Sequence, residues 1–106
     1  MGMMRSGLLK LLDADAADTT GSTFEVFSPD GSGLILIVGA GGTLNEKVDV
    51  QGSFDGTIWV TLYRADTDDL QGDDTRQIAK VIAVLPLMRA VSLSGGPVST
   101  TVWLKP

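Results

Sequence analysis

The stretch QGSFDGTIWVTL at residues 51–62 carries the clearest structural signal in the chain. Alternating apolar residues lie on both sides of Asp55-Gly56, and Trp59 follows three residues after the glycine. An Asp-Gly pair between alternating segments is typical of a β-hairpin, because a type I′ turn needs positive φ at both central residues, and Asp and Gly tolerate it best. The stretch therefore predicts a β-hairpin in the middle of the chain, with Asp55-Gly56 as its turn.

Further alternating or apolar segments flank this hairpin, and short runs rich in Gly, Pro, Asp and Ser separate them. The predicted strands are 47–54 and 57–63 at the centre, 23–27 and 34–38 before them, and 78–85, 89–94 and 98–104 after them. About seven short strands with turn signals every 8–12 residues or so are typical of a sandwich or small barrel. We therefore expect an all-β fold, a single antiparallel β-sandwich with a jelly-roll or immunoglobulin-like order of strands.

The pattern within these segments predicts which side chains are covered. The run LILIV at 34–38 is continuously apolar, which predicts a strand covered on both faces. The alternation at 47–54 places Val48, Val50 and Phe54 on one side of their strand. The segment 78–85 fits a short helix as well as a strand, and Pro86 ends it in either case.

Residues 1–22 differ in composition from the rest of the chain. Four leucines, Leu8, Leu9, Leu11 and Leu12, lie close together, and a run rich in Asp, Ala and Thr follows them. The leucines fit one or two turns of an amphipathic helix, and the polar run indicates a linker. We therefore expect an N-terminal arm or linker at 1–22 and a β-sandwich domain at 23–106. The arm is either a frayed terminus or a docking segment, since exposed leucines on a free tail need a partner.

Composition excludes several classes of function. The chain has 106 residues, no cysteine and no histidine, so disulfides, the usual zinc ligands, thiol nucleophiles and histidine acid–base catalysis are all absent. The formal net charge is −5 and the basic residues are scattered singly, so we expect no nucleic-acid partner. No apolar run has the length of a membrane span, and Lys10 interrupts the leucines too early for a signal peptide. We expect a protein that is made in the cytoplasm, has no membrane partner and is not an enzyme.

Candidate sites each have a structural alternative. Trp59 beside Asp55-Gly56 offers a platform for a sugar ring or a cation, but such a tryptophan more often packs across its hairpin. The stretch is similar to the Asp-box of sialidases, in which aspartate, glycine and tryptophan lie one residue further apart and the motif repeats. The acidic segment 66–74 offers carboxylates for calcium, yet it lacks EF-hand spacing and is typical of a solvated loop.

Two further candidates have less support in the sequence. The glycine cluster at 39–42 follows an apolar strand, as a phosphate-binding loop does, but no Lys-Ser/Thr pair completes the motif. Glu25, Asp49 and Asp55 are candidates for a catalytic carboxylate pair, but their spacing does not favour one. We therefore expect no catalytic residue, no cofactor and no metal ligand.

The order of features after Thr23 resembles a family of small structural proteins of tailed-phage virions, of the capsid decoration (cement) or head accessory type. The matching elements are an alternating first strand, the core VDVQGSFDGTIWVTL at 48–62, a polar loop, MRAVSLSGG at 88–96 and VSTTV at 98–102. The resemblance covers roughly residues 23–105, whereas the leucines of the arm are not part of it.

This resemblance implies a protein that binds the outer capsid surface as a homo-oligomer, a trimer or a dimer, and stabilises the shell. Its partners would be the major capsid protein and further copies of itself, and its location would be the virion. The expected interface residues are Leu8, Leu9, Leu11, Leu12, Trp59 and Tyr63. The alternative is a tail or baseplate accessory domain that binds another tail protein, or carbohydrate through Trp59, Tyr63 or Trp103.

Overall fold

The computed structural model describes residues 8–40, 47–65, 75–95 and 97–106. Over these residues the chain forms nine strands and no helix. The strands are β1 (Leu9–Asp15), β2 (Thr19–Thr20), β3 (Phe24–Glu25), β4 (Ser32–Ala40), β5 (Val48–Ser53), β6 (Val60–Arg64), β7 (Thr75–Ala83), β8 (Leu87–Ser92) and β9 (Ser99–Lys105). They form two antiparallel sheets packed face to face, which confirms the predicted all-β sandwich.

The two sheets divide the strands between them. The four-stranded sheet has the order β1-β9-β4-β7, and the five-stranded sheet has the order β2-β8-β5-β6, with β3 also paired to β8. Each of the seven predicted strands is present, as β3 to β9, and the segment 78–85 belongs to a strand rather than a helix. The two additional strands, β1 and β2, lie within residues 1–22, where an arm was expected.

The core is the layer between the sheets, and the period-2 alternation of the central strands builds it. In the four-stranded sheet it comes from alternate residues of β4 and β9, and in the five-stranded sheet from alternate residues of β5 and β8. The fully buried apolar side chains are Ile35, Ile37, Val102 and Leu104 on one side and Val48, Val50, Met88 and Ala90 on the other. Burying a side chain of the Val, Leu, Ile or Met type contributes about 1.5–3 kcal/mol, so this layer is the main source of stability.

The N-terminal leucines are part of this core, and the helix predicted for them is wrong. Leu9, Leu11 and Leu12 are buried in β1, which pairs with β9, while Leu8 is 60% exposed. The register of β1 shifts between Lys10 and Leu12, so one extra residue is accommodated there. Such a bulge lets two consecutive leucines both reach the core, which simple alternation cannot do. The first strand, Leu9–Asp15, thus belongs to the packed sandwich, and its removal would open the core.

The expectation that residues 34–38 are covered on both faces is also wrong. Ile35 and Ile37 are fully buried between the sheets, but Leu34 on the opposite face is 49% exposed. In a sandwich of two layers each sheet has only one face against the other, so no described element covers the second face of β4 as a further layer. The apolar side chains of this outer face are therefore available for contacts with other molecules.

Truncation of the first strand tests its place in the core. We expect Leu11→Ala to lower the free energy of unfolding by about 2–5 kcal/mol, because it removes a buried side chain and leaves a cavity. Leu8→Ala is the matched control, and since Leu8 is exposed its effect should stay within about 0.5 kcal/mol. Both values follow from urea unfolding monitored by tryptophan fluorescence. Equal, small effects of the two substitutions would mean that β1 is only loosely attached to the sandwich.

Candidate functional site

The loop that joins β5 to β6 is exposed, yet side-chain hydrogen bonds order it and it carries large apolar side chains. The two strands form the antiparallel hairpin that the sequence predicts, with Gly52 opposite Val60. The connection spans the six residues from Phe54 to Trp59 rather than two. Only Gly56 in this loop has positive φ, at 80°, so the predicted type I′ turn is wrong.

Side-chain hydrogen bonds shape this loop instead of a tight backbone turn. The Asp55 Oδ1 atom accepts hydrogen bonds from the backbone N–H groups of Thr57 at 2.8 Å and Ile58 at 3.0 Å. The Ser53 Oγ atom accepts from the backbone N–H groups of Asp55 at 3.2 Å and Gly56 at 2.8 Å, and it donates to Asp55 Oδ1 at 3.1 Å. Short polar side chains commonly order turns in this way. The loop therefore has a defined conformation although it is exposed.

The same hydrogen bonds change the acidity of Asp55. The backbone N–H of Ile58, followed by that of Thr57, stabilises the charged carboxylate and holds the pKa of Asp55 below its ordinary value of 3.8. The aspartate is thus ionised at neutral pH and serves as the fixed acceptor of the loop. Its role here is to order the backbone.

Trp59 closes the base of the loop. Its Nε1–H donates to the backbone carbonyl of Gly56 at 3.2 Å, and the Arg89 guanidinium lies 4.0 Å from the ring centroid. The Arg89 Nε–H in turn donates to the Gln51 side-chain oxygen at 2.8 Å. A cation over an aromatic ring at this distance is a favourable contact. Trp59 is therefore held by Gly56 of its own loop, and Arg89 of β8 occupies one face of its ring.

Large apolar side chains project from this ordered loop. Phe54 is 77% exposed and Ile58 is 71% exposed, and Val60 at the start of β6 is half exposed. We name these three residues the tip patch. Single exposed apolar residues are ordinary, but three within seven positions, two on the ordered loop and one at the start of β6, are typical of a contact surface. The tip patch is therefore the main candidate binding site.

The outer face of the four-stranded sheet is a second apolar surface. Leu34 lies opposite Val81 of β7, which is 75% exposed, and Leu36 lies opposite Trp103 of β9. A shallow groove there is lined by Leu8, Leu34, Leu36, Trp103 and Lys105. The Lys10 ammonium lies 4.6 Å from the Trp103 ring centroid at its border. We name Leu34, Leu36, Val81 and Trp103 the outer apolar face.

The outer face of the five-stranded sheet carries a pair of charged side chains on β5 and β6. Asp49 lies opposite Arg64 across β5 and β6, and the guanidinium Nε and Nη2 donate to the two carboxylate oxygens at 2.7 and 2.8 Å. The Asp49 side chain is only 3% exposed, so this bidentate pair neutralises a buried charge. The two sheets thus present surfaces of different chemical character.

The residues expected at an interface, apart from Trp59 described above, lie in different parts of the fold. Leu9, Leu11 and Leu12 lie in the protein's own core, whereas Leu8 is exposed beside the outer apolar face. Tyr63 in β6 is partly buried and packs against the core. The acidic segment 66–74 and Gly41 and Gly42 lie outside the described residues.

The carboxylates considered for catalysis have separate roles or positions. Asp49 pairs with Arg64, Asp55 orders the loop, and Glu25 is exposed at the end of β3. Within the described ranges no group of three or more Asp or Glu side chains is arranged to hold a metal ion. The same residues include no helix long and apolar enough to cross a membrane.

The sequence pattern missed the most exposed residues of the site. The alternation predicts Phe54 on the same side as Val48 and Val50, but β5 ends at Ser53 and Phe54 is exposed. The signal that marks the strand end is Ser53 followed two residues later by Asp55, since both side chains bind loop backbone.

Comparison of the chain with protein-family models, curated proteins and solved structures finds no match.

Titration of the loop tests the role of Asp55. The folded-state pKa of Asp55 lies below 3.8. The charged carboxylate therefore orders the loop at any pH above 3.8, and this ordering is lost as the pH falls through the folded-state pKa. We expect the amide proton resonances of Thr57 and Ile58 to shift with a midpoint below 3.8 in an NMR titration. In Asp55→Asn, which keeps a side-chain oxygen but cannot ionise, this transition should disappear. A midpoint at or above 3.8, or an unchanged transition in the variant, would contradict this account.

Proposed function

We propose that this chain is a structural virion protein of a tailed bacteriophage, and specifically a capsid decoration (cement) protein. In this role it binds the outer capsid surface as a homo-oligomer and stabilises the shell. The observation that carries the proposal is the tip patch, in which Phe54 and Ile58 are exposed on a loop ordered by Asp55 and Ser53. The resemblance of residues 23–105 to phage virion proteins supports the same class.

The tip patch has the physical properties of a protein-binding anchor. Binding is weakened by the entropy lost when a mobile loop becomes ordered, and this loop is already held by five hydrogen bonds involving Ser53 and Asp55. Apolar side chains that enter a pocket of the partner provide most of the affinity of many interfaces. Phe54 and Ile58 are positioned to do this without a change in the loop.

Stabilisation of a shell follows from binding alone and requires no catalytic group. A protein that binds the assembled lattice but not the dissociated subunits favours the lattice by mass action. Many weakly bound copies therefore strengthen a capsid that is loaded by the pressure of its DNA. The net charge of −5 suits a position on the outside of the shell, away from nucleic acid.

The geometry gives less support to a carbohydrate-binding tail domain. Such a role requires an aromatic ring with an open face. Arg89 lies over one face of Trp59 and Lys10 over one face of Trp103, so at most one face of each ring is free for a sugar. Tyr63 packs against the core. The tip patch, by contrast, consists of aliphatic and phenyl groups, which favour a protein partner.

Co-sedimentation tests the proposal. The purified protein is mixed with expanded, empty capsids of the phage whose genome encodes it, and the bound fraction is measured after centrifugation. We expect saturable binding, and we expect Phe54→Ala/Ile58→Ala to weaken it at least about thirtyfold, since an anchor residue contributes about 2 kcal/mol or more. Circular dichroism establishes that the variant keeps its β-fold.

A matched control separates the tip patch from general surface hydrophobicity. Phe27→Ala/Val98→Ala also removes one phenyl and one aliphatic side chain, both at least half exposed and both outside the hairpin. We expect this variant to bind capsids like the unaltered protein. Equal loss in both variants would reject the tip patch as the anchor. Failure of the unaltered protein to sediment with capsids, together with binding to glycans, would reject the cement function itself.

A further inference from the structure

One edge of the four-stranded sheet is formed by a long strand, β7, whose outer side has no partner among the described strands. β7 (Thr75–Ala83) is nine residues long, lies at the end of the sheet order and, among the described strands, pairs only with β4. Its pairing with β4 is continuous from Ala83 opposite Ser32 to Thr75 opposite Ala40, without a register shift. One side of a long and regular strand thus faces outward from the sheet.

An exposed edge of this kind is a template for another strand, since its outward N–H and C=O groups are ready to pair. The other sheet edges are short or irregular. β1 has two register shifts, β6 has five residues and meets a register shift in β5, and β2 and β3 have two residues each. Bulges, short strands and charged side chains are the usual protections against edge pairing. β7 is long and has no register shift, and Lys80 is the charged residue near its centre.

The side chains on the outer side of β7 also favour a close approach. Gln77, Ala79, Val81 and Ala83 are exposed, and none of them is charged. Ala79 lies opposite Leu36 and Val81 lies opposite Leu34, so the outer apolar face continues to the very edge of the sheet. A strand added at this edge would extend that face and cover part of Val81.

We propose that β7 pairs antiparallel with β7 of a second copy of this chain, around a two-fold axis at Ala79. The two four-stranded sheets then become one continuous sheet of eight strands. Such an interface uses the same surface on both copies, as two-fold dimers do. The inference deepens the proposed function and rests on its homo-oligomeric part, whereas contact with the capsid is assigned to the tip patch.

The sequence of β7 selects this register. Centring the pair on Ala79 is the one arrangement in which all nine residues find a partner, from Thr75 opposite Ala83 to Ala79 opposite itself. It also places Lys80 opposite Ile78. A pair centred on Lys80 would place two like charges directly opposite, which destabilises a sheet. At the Ala79 register the two Lys80 side chains are instead diagonal neighbours, about 7–8 Å apart, which is a weaker repulsion than direct opposition.

Cysteine cross-linking tests the pairing directly, because the chain has no cysteine of its own. Opposite residues of antiparallel strands have Cα atoms about 4.5–5.5 Å apart, within the range of a disulfide. We expect Ala79→Cys to form a disulfide-linked dimer under mild oxidation. Ala83→Cys is the matched control on the same exposed side of β7, and its two copies would be eight residues, or about 27 Å, apart along the strand. It should remain largely uncross-linked.

The unmodified interface is tested by sedimentation equilibrium. We expect the unaltered protein to dimerise and Ala79→Arg, which opposes two guanidinium groups at the axis, to raise the dimer dissociation constant about fivefold or more. Ala83→Arg should change it less. A monomer at every soluble concentration, or equal cross-linking at positions 79 and 83, would overturn the proposal. Since no capsid is present in either experiment, the result is independent of whether the tip patch binds one.

Discussion

The burial of one face of each sheet against the other is the interaction on which the rest of the structure depends. Ile35, Ile37, Val102 and Leu104 meet Val48, Val50, Met88 and Ala90 in a layer with no exposed side chain. No disulfide or described metal cluster supplements this layer. The described residues form no third layer over either sheet, so the outer surfaces become the places where the protein can contact other molecules.

The two outer surfaces have different chemistry. On the five-stranded sheet, Asp49 pairs with Arg64, and Arg89 links Gln51 to Trp59, so polar groups are satisfied within the chain. On the four-stranded sheet, Leu34 and Val81 remain exposed with no such partners. The tip patch adds further apolar surface at the end of the hairpin. This distribution favours a protein that functions by assembly, with separate surfaces for its own copies and for a larger partner.

The sequence predicted the strands whose apolar residues alternate regularly, and it failed where another effect replaced alternation. The first strand was missed because a bulge lets Leu11 and Leu12 face the same core, a pattern that resembles a helical cluster. The hairpin was predicted but its turn was not, because the Asp55 and Ser53 side chains, rather than two residues with positive φ, order the loop. The order of strands depends on contacts between distant segments, which local patterns do not contain.

The central claim is that an ordered, apolar hairpin tip attaches this β-sandwich to the outside of a phage shell. The most direct measurement is a cryo-electron microscopy reconstruction of the phage particle to which the proposal assigns the chain. The account predicts density for the sandwich on the outer capsid surface, with Phe54 and Ile58 in contact with a major capsid subunit. Density for the chain in the tail, inside the shell, or on the shell with the hairpin tip facing solvent would contradict it.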